Sequence, residues 1–198
     1  MSDAEWFALL SFATVMAFTP GPNTTLSAAL AAQGGLRRAG PFVLAVPVGW
    51  GLLLLASVAG LGALLQALPA LRQTVKWAGL LVLLWLAWQL AQRRSLAQAD
   101  GGLHVGFVQG VALQFVNIKA WMNALLISAG WVTVADNVLV RAAQVLPVMM
   151  LYGLLSNLAY ALVGAALRQW LAQGQRLLVF NRVLALVLVA TAGWMAWL

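Results

Sequence analysis

The sequence predicts an all-α integral membrane protein: one transmembrane domain over residues 1–198, built from six membrane-spanning helices. Composition is the first reason. Hydrophobic residues make up 64% of the chain and charged residues 8%, with a mean hydropathy of +0.94. A soluble domain of this size needs far less apolar surface. Segmentation is the second. Charges and turn residues leave apolar stretches close to the ~20 residues that a spanning helix requires. A transmembrane β-barrel would instead show alternating segments of ~10 residues. The third is Lys119, with no charge for 14 residues back to His104 or for 16 residues on to Asp136.

The first span runs from about Trp6 to Ala32, the second from Ala39 to Leu65, and the third from about Leu71 to Ala91. A loop with Arg93, Arg94, Asp100, Gly101 and Gly102 leads to the fourth span, about Val105–Val132. The fifth covers about Val140–Leu171 and the sixth about Leu177–Leu198. The longer ones are expected to tilt. Met1-Ser2-Asp3-Ala4-Glu5 is acidic, without the positive stretch that opens a cleaved signal peptide, so the first span is expected to stay in the membrane.

The formal net charge is +7. The basic residues stand singly or in pairs at span ends, not clustered on one face as nucleic-acid binding requires. Arg37, Arg38, Arg93, Arg94, Arg168, Arg176 and Arg182 fall on one side of the membrane; Arg72, Lys76 and Arg141 fall on the other, with Asp3, Glu5 and Asp136. Seven against three favours the first set as cytoplasmic, and both termini are then expected outside the inner membrane, on its periplasmic side. Cysteine is absent and histidine occurs once, which removes disulfide frameworks, thiolate metal sites and a histidine metal cage. No paired acids, H-E-x-x-H or phosphate-binding glycine loop is present, so no enzyme, metal centre or cofactor is expected.

Two spans are interrupted by polar residues. In the first, Thr19-Pro20-Gly21-Pro22-Asn23 removes two backbone donors and adds a flexible glycine. The freed backbone groups must find protein, water or ligand. Thr19, Asn23, Thr24 and Thr25 offer caps for the restarted half-helix, whose N-terminus would attract an anion. In the fourth span, Gln114-Phe115-Val116-Asn117-Ile118-Lys119 brings an ammonium deep into the ~30 Å hydrocarbon layer, where ionisable groups usually serve function. A packing kink and a lysine satisfied by carbonyls are the plainer readings of the same residues. Gln109, Asn123, Asn157 and Tyr160 are either interhelical hydrogen-bonders or cavity residues; most of the ten tryptophans are expected in interfacial belts, and Trp50 stands out because it lies inside the second span. Gly106 and Gly110 have the spacing of close helix packing.

A weak repeat adds to this. A shift of 106 aligns Lys76 with Arg182 and Trp88 with Trp194, and Val46-Pro47-Val48 echoes Leu146-Pro147-Val148. Half-repeats of about 1–92 and 104–198, each crossing three times, would be inverted relative to one another, with broken first and fourth helices meeting at a binding site. That describes a small secondary transporter.

Phe18-Thr19-Pro20-Gly21-Pro22-Asn23-Thr24 resembles the signature opening of the lysine exporter/homoserine–threonine exporter superfamily of amino-acid efflux proteins. Gly34 to Gly40 with Arg37 and Arg38 resembles its first cytoplasmic loop, and Lys76-Trp77-Ala78-Gly79 with Trp85-Leu86-Ala87-Trp88 its third helix. Two positions depart from the family pattern. Asn117-Ile118-Lys119 stands where Asn-Pro-Lys is common, and Gly49-Trp50 where Gly-Asp is common. Both departures, together with Ala112-Leu113-Gln114-Phe115-Val116-Asn117 and Asn157 before Ala161-Leu162 and Gly164, are similar to the cysteine/O-acetylserine exporter branch.

The resemblance implies a small neutral amino acid as substrate, exported through the lipid bilayer. The expected site is Thr19, Pro20, Gly21, Pro22, Asn23, Gln114, Asn117 and Lys119, with Trp50, Asn123, Asn157 and Tyr160 lining a cavity. Asn23 and Asn117 would hold the substrate's charged groups and Lys119 its carboxylate. With no aspartate in the membrane, a coupling proton would ride on Lys119, or export would run down the substrate's own gradient. Export of another amino acid, metal-ion export and a non-transporting scaffold are the competing classes; a water-accessible cavity reaching Lys119 argues against the scaffold. On the charge asymmetry, a reporter fused after Leu198 is expected to report the periplasm and one inserted near Gln98 the cytoplasm. The reverse pattern overturns the orientation.

Overall fold

A computed structural model of the chain describes residues 1–93 and 105–197. Arg94, Gln98, Asp100, Gly101, Gly102, His104 and Leu198, used above, lie outside the described residues. The regular elements within them are helices: α1 (Asp3–Phe18), α2 (Pro22–Ala56), α3 (Gly62–Ala67), α4 (Pro69–Ala91), α5 (Phe107–Val116), α6 (Ile118–Ile127), α7 (Val138–Leu171) and α8 (Arg176–Trp197). Single π-helical turns follow α2 (Ser57–Leu61) and α6 (Ser128–Val132).

The local chemistry accounts for the ends. A capping box starts α1: the Glu5 amide donates to Ser2 Oγ at 3.2 Å and the Ser2 amide to Glu5 Oε2 at 2.6 Å. It stops at Phe18 because neither Pro20 nor Pro22 has the N–H owed to the carbonyls of Met16 and Phe18. Pro22 then opens α2, where a missing N–H costs nothing.

At ~1.5 Å per residue a straight helix as long as α2 would overrun the ~30 Å hydrocarbon core. Gly35 prevents that. Its φ of 74° and ψ of −177° divide α2 into two helices, a conformation glycine adopts without strain. The two halves meet α7 in opposite senses. Ser27 and Ala28 lie against Asn157 and Gly164, whereas Pro47 and Gly51 lie against Gly153 and Met150. The halves are therefore antiparallel, a hairpin folded at Gly35. The expected polar loop around Gly34–Gly40 is corrected: the chain turns at Gly35 alone, and Arg37 and Arg38 are already helical. The expected limits of the first two spans shift accordingly, since helix continues from Pro22 through this turn.

By length and composition, Pro22–Leu64, Pro69–Ala91, Val138–Leu171 and Arg176–Trp197 can each cross a membrane. The pair α5–α6, bent by 71°, makes a fifth candidate. Large apolar side chains such as Phe7, Val108 and Leu139 are at least three-quarters exposed. That is the surface expected when the surrounding solvent is lipid.

The two ends of the bundle differ in charge. At one, Arg141 Nη1 pairs with Glu5 Oε1 at 2.8 Å and Trp131 Nε1 donates to the Glu5 carbonyl. The hydrogen bond from Arg141 holds the Glu5 carboxyl down at about 2. The other end carries Arg37, Arg38, Arg93, Arg168 and Arg176, and there Asn181 Nδ2 donates to the Arg93 carbonyl at 3.3 Å.

Gly164 and Gly110 seal the bundle toward the arginine end. A Cβ on Gly164 would overlap the Ala28 carbonyl, and one on Gly110 would press on Ala45 and Phe42. Gly110 thus has the packing role expected of it, while Gly106 serves as the N-cap of α5 with Gln109 Oε1 on its amide at 2.8 Å. Gly193 faces open space. Gly164→Leu should therefore destabilise the fold by about 1–3 kcal/mol through overpacking. Gly193→Leu should leave the melting midpoint in detergent nearly unchanged. Equal midpoints for the two variants would remove Gly164 from the helix crossing.

Candidate functional site

The break between α1 and α2 and the break between α5 and α6 lie side by side. Asn23 Nδ2 donates to Gln114 Oε1 at 2.8 Å, and Gln114 Nε2 returns a bond to Asn23 Oδ1 at 3.2 Å. Asn117 Nδ2 also donates to Asn23 Oδ1, at 3.3 Å. Gln114 is fully buried and its Nε2 reaches the Gly110 carbonyl at 3.0 Å as well. These three amides tie the restart of one helix to the break in the other.

Asn117 makes its own break. In an extended conformation, φ −88° and ψ 102°, it caps α6 by accepting from the amides of Lys119 and Ala120 at 3.1 and 3.4 Å. Ile118, standing where the resemblance leads one to expect proline, packs partly buried against the apolar core. The helix bends there without a proline.

Side chains cap three of the carbonyls at the two breaks. Tyr160 donates its hydroxyl to Phe18 O at 3.0 Å, Lys119 Nζ donates to Thr19 O at 2.8 Å, and Trp121 Nε1 donates to Phe115 O at 2.7 Å. Thr24 closes the turn at Gly21 in both directions, accepting from its amide and donating to its carbonyl. In hydrocarbon each such group left bare would cost several kcal/mol.

Beside the breaks lies a partly open cavity of about 80 Å³. Thr19, Gly21, Pro22, Asn23, Asn117 and Lys119 line it, as do Trp50, Asn123 and Asn157. Three expected site residues do not. Pro20 forms the break itself, Gln114 sits behind Asn23, and Tyr160 holds the Phe18 carbonyl. Sequence reasoning missed Met16, Met149 and Ser156 in the lining, and Ser27, whose Oγ donates to Asn157 Oδ1 at 2.9 Å. The α7 wall was legible as a stripe: Met149, Tyr152, Gly153, Ser156 and Asn157 recur at the three- and four-residue steps of one helix face.

The charged side chains at the cavity are one-sided. Among the described residues Lys119 is the one Lys, Arg, Asp or Glu lining the cavity, and one of its three donors is used on Thr19. The N-termini of α2 and α6 end there, each adding roughly half a positive charge, and the C-termini of α1 and α5 end beside them with carbonyls of the opposite sign, some of them capped by side-chain donors. The described residues hold no group of three His, Cys, Asp or Glu side chains placed for a metal. The arrangement can accept a small carboxylate and surround it with apolar and amide contacts.

The family model described as LysE type translocator matches residues 14–196. The chain is 30% identical over 186 residues to the cysteine/O-acetylserine efflux protein of Klebsiella pneumoniae subsp. pneumoniae, covering 93% of each. It is 28% identical to the proteins of the same name from Escherichia coli (strain K12) and Shigella sonnei (strain Ss046), covering 93% of this chain and 94% of each of theirs. No solved structure matches the chain.

Gly21 offers a probe of the cavity floor. Its backbone is extended, so an added side chain brings no φ strain, yet a Cβ would stand 3.1 Å from Lys119 Cδ and 3.2 Å from Nζ. Gly21→Ala should displace the lysine by a few tenths of an ångström and lower transport several-fold; Gly21→Val should lower it further. Both should reach the membrane at wild-type levels on an immunoblot. Undiminished transport by the valine variant would take Lys119 out of the working site.

Proposed function

The chain belongs to the LysE type translocator family, and from that premise we propose that it exports small neutral amino acids, of the cysteine and O-acetylserine kind, from the cytoplasm across the inner membrane. One observation carries the reading: a cavity at the junction of two broken helices, with an ammonium and two helix N-termini as its positive groups. The names of the relatives support the substrate class. So does size. A cavity of about 80 Å³ has room for roughly five to eight waters at ~10–15 Å³ each, comparable with the heavy atoms of a small amino acid.

In this reading, six spans form two inverted three-helix units that rock about the breaks. The half-helix from Pro22 to the Gly35 turn and the α6 half-helix leave the site in opposite directions. Cavity residues Met16, Ala17, Trp50, Asn123, Met149 and Tyr152 all lie on the Glu5–Arg141 side of the breaks. Toward the arginine end, Gly164 on Ala28 and Gly110 on Ala45 close the path. With arginines cytoplasmic and both termini periplasmic, this shape releases substrate outward, and the inward state requires those two glycine contacts to part.

A second reading is favoured by the bond from Lys119 Nζ to the Thr19 carbonyl: the lysine only seals a break, and the protein is a scaffold. Lys119→Met separates the two. A transport role predicts that efflux falls roughly 10- to 150-fold, the size of a lost charge-assisted hydrogen bond of ~1.5–3 kcal/mol, while membrane levels hold. A sealing role predicts a lower melting midpoint with transport surviving. Lys119→Arg keeps the charge but cannot release a proton. Binding kept with transport lost in that variant assigns Lys119 a coupling proton; both kept assigns it attraction alone. Uptake of labelled cysteine or O-acetylserine into inverted vesicles measures each outcome, and normal uptake by Lys119→Met ends the assignment.

A further inference from the structure

Asn123 Oδ1 is buried and has no hydrogen-bond partner among the described residues. Gln33 Nε2 and Asn181 Oδ1 share that condition, but neither residue borders the cavity, whereas Asn123 does. An amide oxygen can only accept. Left empty, such a buried acceptor weakens a state by a factor of roughly 5 to 150. It calls for a donor that arrives with the ligand.

The other side-chain amide oxygens near the breaks are already occupied. Asn23 Oδ1 accepts from Gln114 and Asn117, Asn117 Oδ1 from the α6 backbone, and Asn157 Oδ1 from Ser27. The Phe18 and Thr19 carbonyls are taken by Tyr160 and Lys119. Asn23 and Asn117, the residues first expected to grip the substrate, spend their oxygens holding the breaks together.

Asn123 stands four residues after Lys119 on α6, so the two side chains rise from one face, ~5–6 Å apart at Cβ. A carboxylate seated on Lys119 brings the ammonium on the same carbon alongside Asn123. The third substituent then meets Met16, Ala17 and Met149 across the cavity. We propose that Lys119 and Asn123 together recognise the α-carboxylate and α-ammonium of the substrate, with Asn123 Oδ1 the acceptor that requires the amine. The inference rests on the transport reading and names the group that separates amino acids from other small carboxylates.

The test compares cysteine with 3-mercaptopropionate, which keeps carboxylate and thiol but lacks the amine, as competitors of labelled substrate in inverted vesicles. Wild type should prefer cysteine by a factor of roughly 5 to 150. Asn123→Leu, of similar shape but without an acceptor, should lose cysteine affinity and bring the two competitors within about threefold of each other, below that range. Should the leucine variant fail to fold, quenching of tryptophan fluorescence in purified wild-type protein decides, since Trp50 lines the cavity. Equal potency of the two compounds in wild type, or full preference surviving in Asn123→Leu, overturns the assignment of Asn123. If Lys119→Met still transports normally, the cavity itself is misassigned; if it does not, only the role of Asn123 has fallen.

Discussion

Every released backbone group at a helix break in a membrane must be matched from within, because lipid offers no hydrogen bonds. This constraint organises the centre of the protein. Pro20 and Pro22 end α1 and strand carbonyls, and Asn117 ends α5 and does the same. Tyr160, Lys119 and Trp121 donate to three of these carbonyls, those of Phe18, Thr19 and Phe115, from separate places in the sequence. The breaks can persist only while α6 and α7 stand beside α1. Helix packing is thus set by the backbone as much as by apolar side chains.

Close contact is what makes that arrangement reachable. Short side-chain bonds such as Ser27 to Asn157 require α2 and α7 to approach within backbone contact, and Gly164 against Ala28 permits it. Gly79 does the same for α4 beside the Val116 carbonyl. In lipid there is little hydrophobic gain from joining apolar helices, so small residues and polar pairs carry the association. The amide triad of Asn23, Gln114 and Asn117 belongs to this set. It is structural in its hydrogen bonds even though Asn23 and Asn117 border the cavity.

Much of this was legible before any coordinates. Apolar segmentation anticipated an all-helical membrane chain, and the two polar interruptions anticipated the two helix breaks that lie side by side, because prolines, amides and a lysine have few innocuous uses inside hydrocarbon. The turn at Gly35 was hidden: Arg37 and Arg38 looked like a polar loop, yet one positive-φ glycine reverses the chain while helix continues on both sides. Gln114 looked like a ligand-binding amide, and only three-dimensional placement shows Asn23 in front of it. Tyr160 likewise lies too far along α7 for spacing to reveal that its hydroxyl meets Phe18. Local chemistry is written in short stretches; partner choice across helices is not.

The two departures from the family pattern now have different physical weights. Ile118 changes little, since the Asn117 cap breaks the helix where a proline would otherwise do so. Trp50 changes the charge balance. It is buried, lines the cavity and occupies the position where the resemblance leads one to expect an aspartate. An acid there would have given Lys119 a fixed counter-ion, and substrate carboxylate would have had to compete with it. With indole in its place, the ammonium and the two helix N-termini face a cavity whose described lining holds no Asp or Glu. Removing an ammonium from water is costly unless an anion joins it. In the proposed transport reading, the substrate's own carboxylate is the group that completes the site.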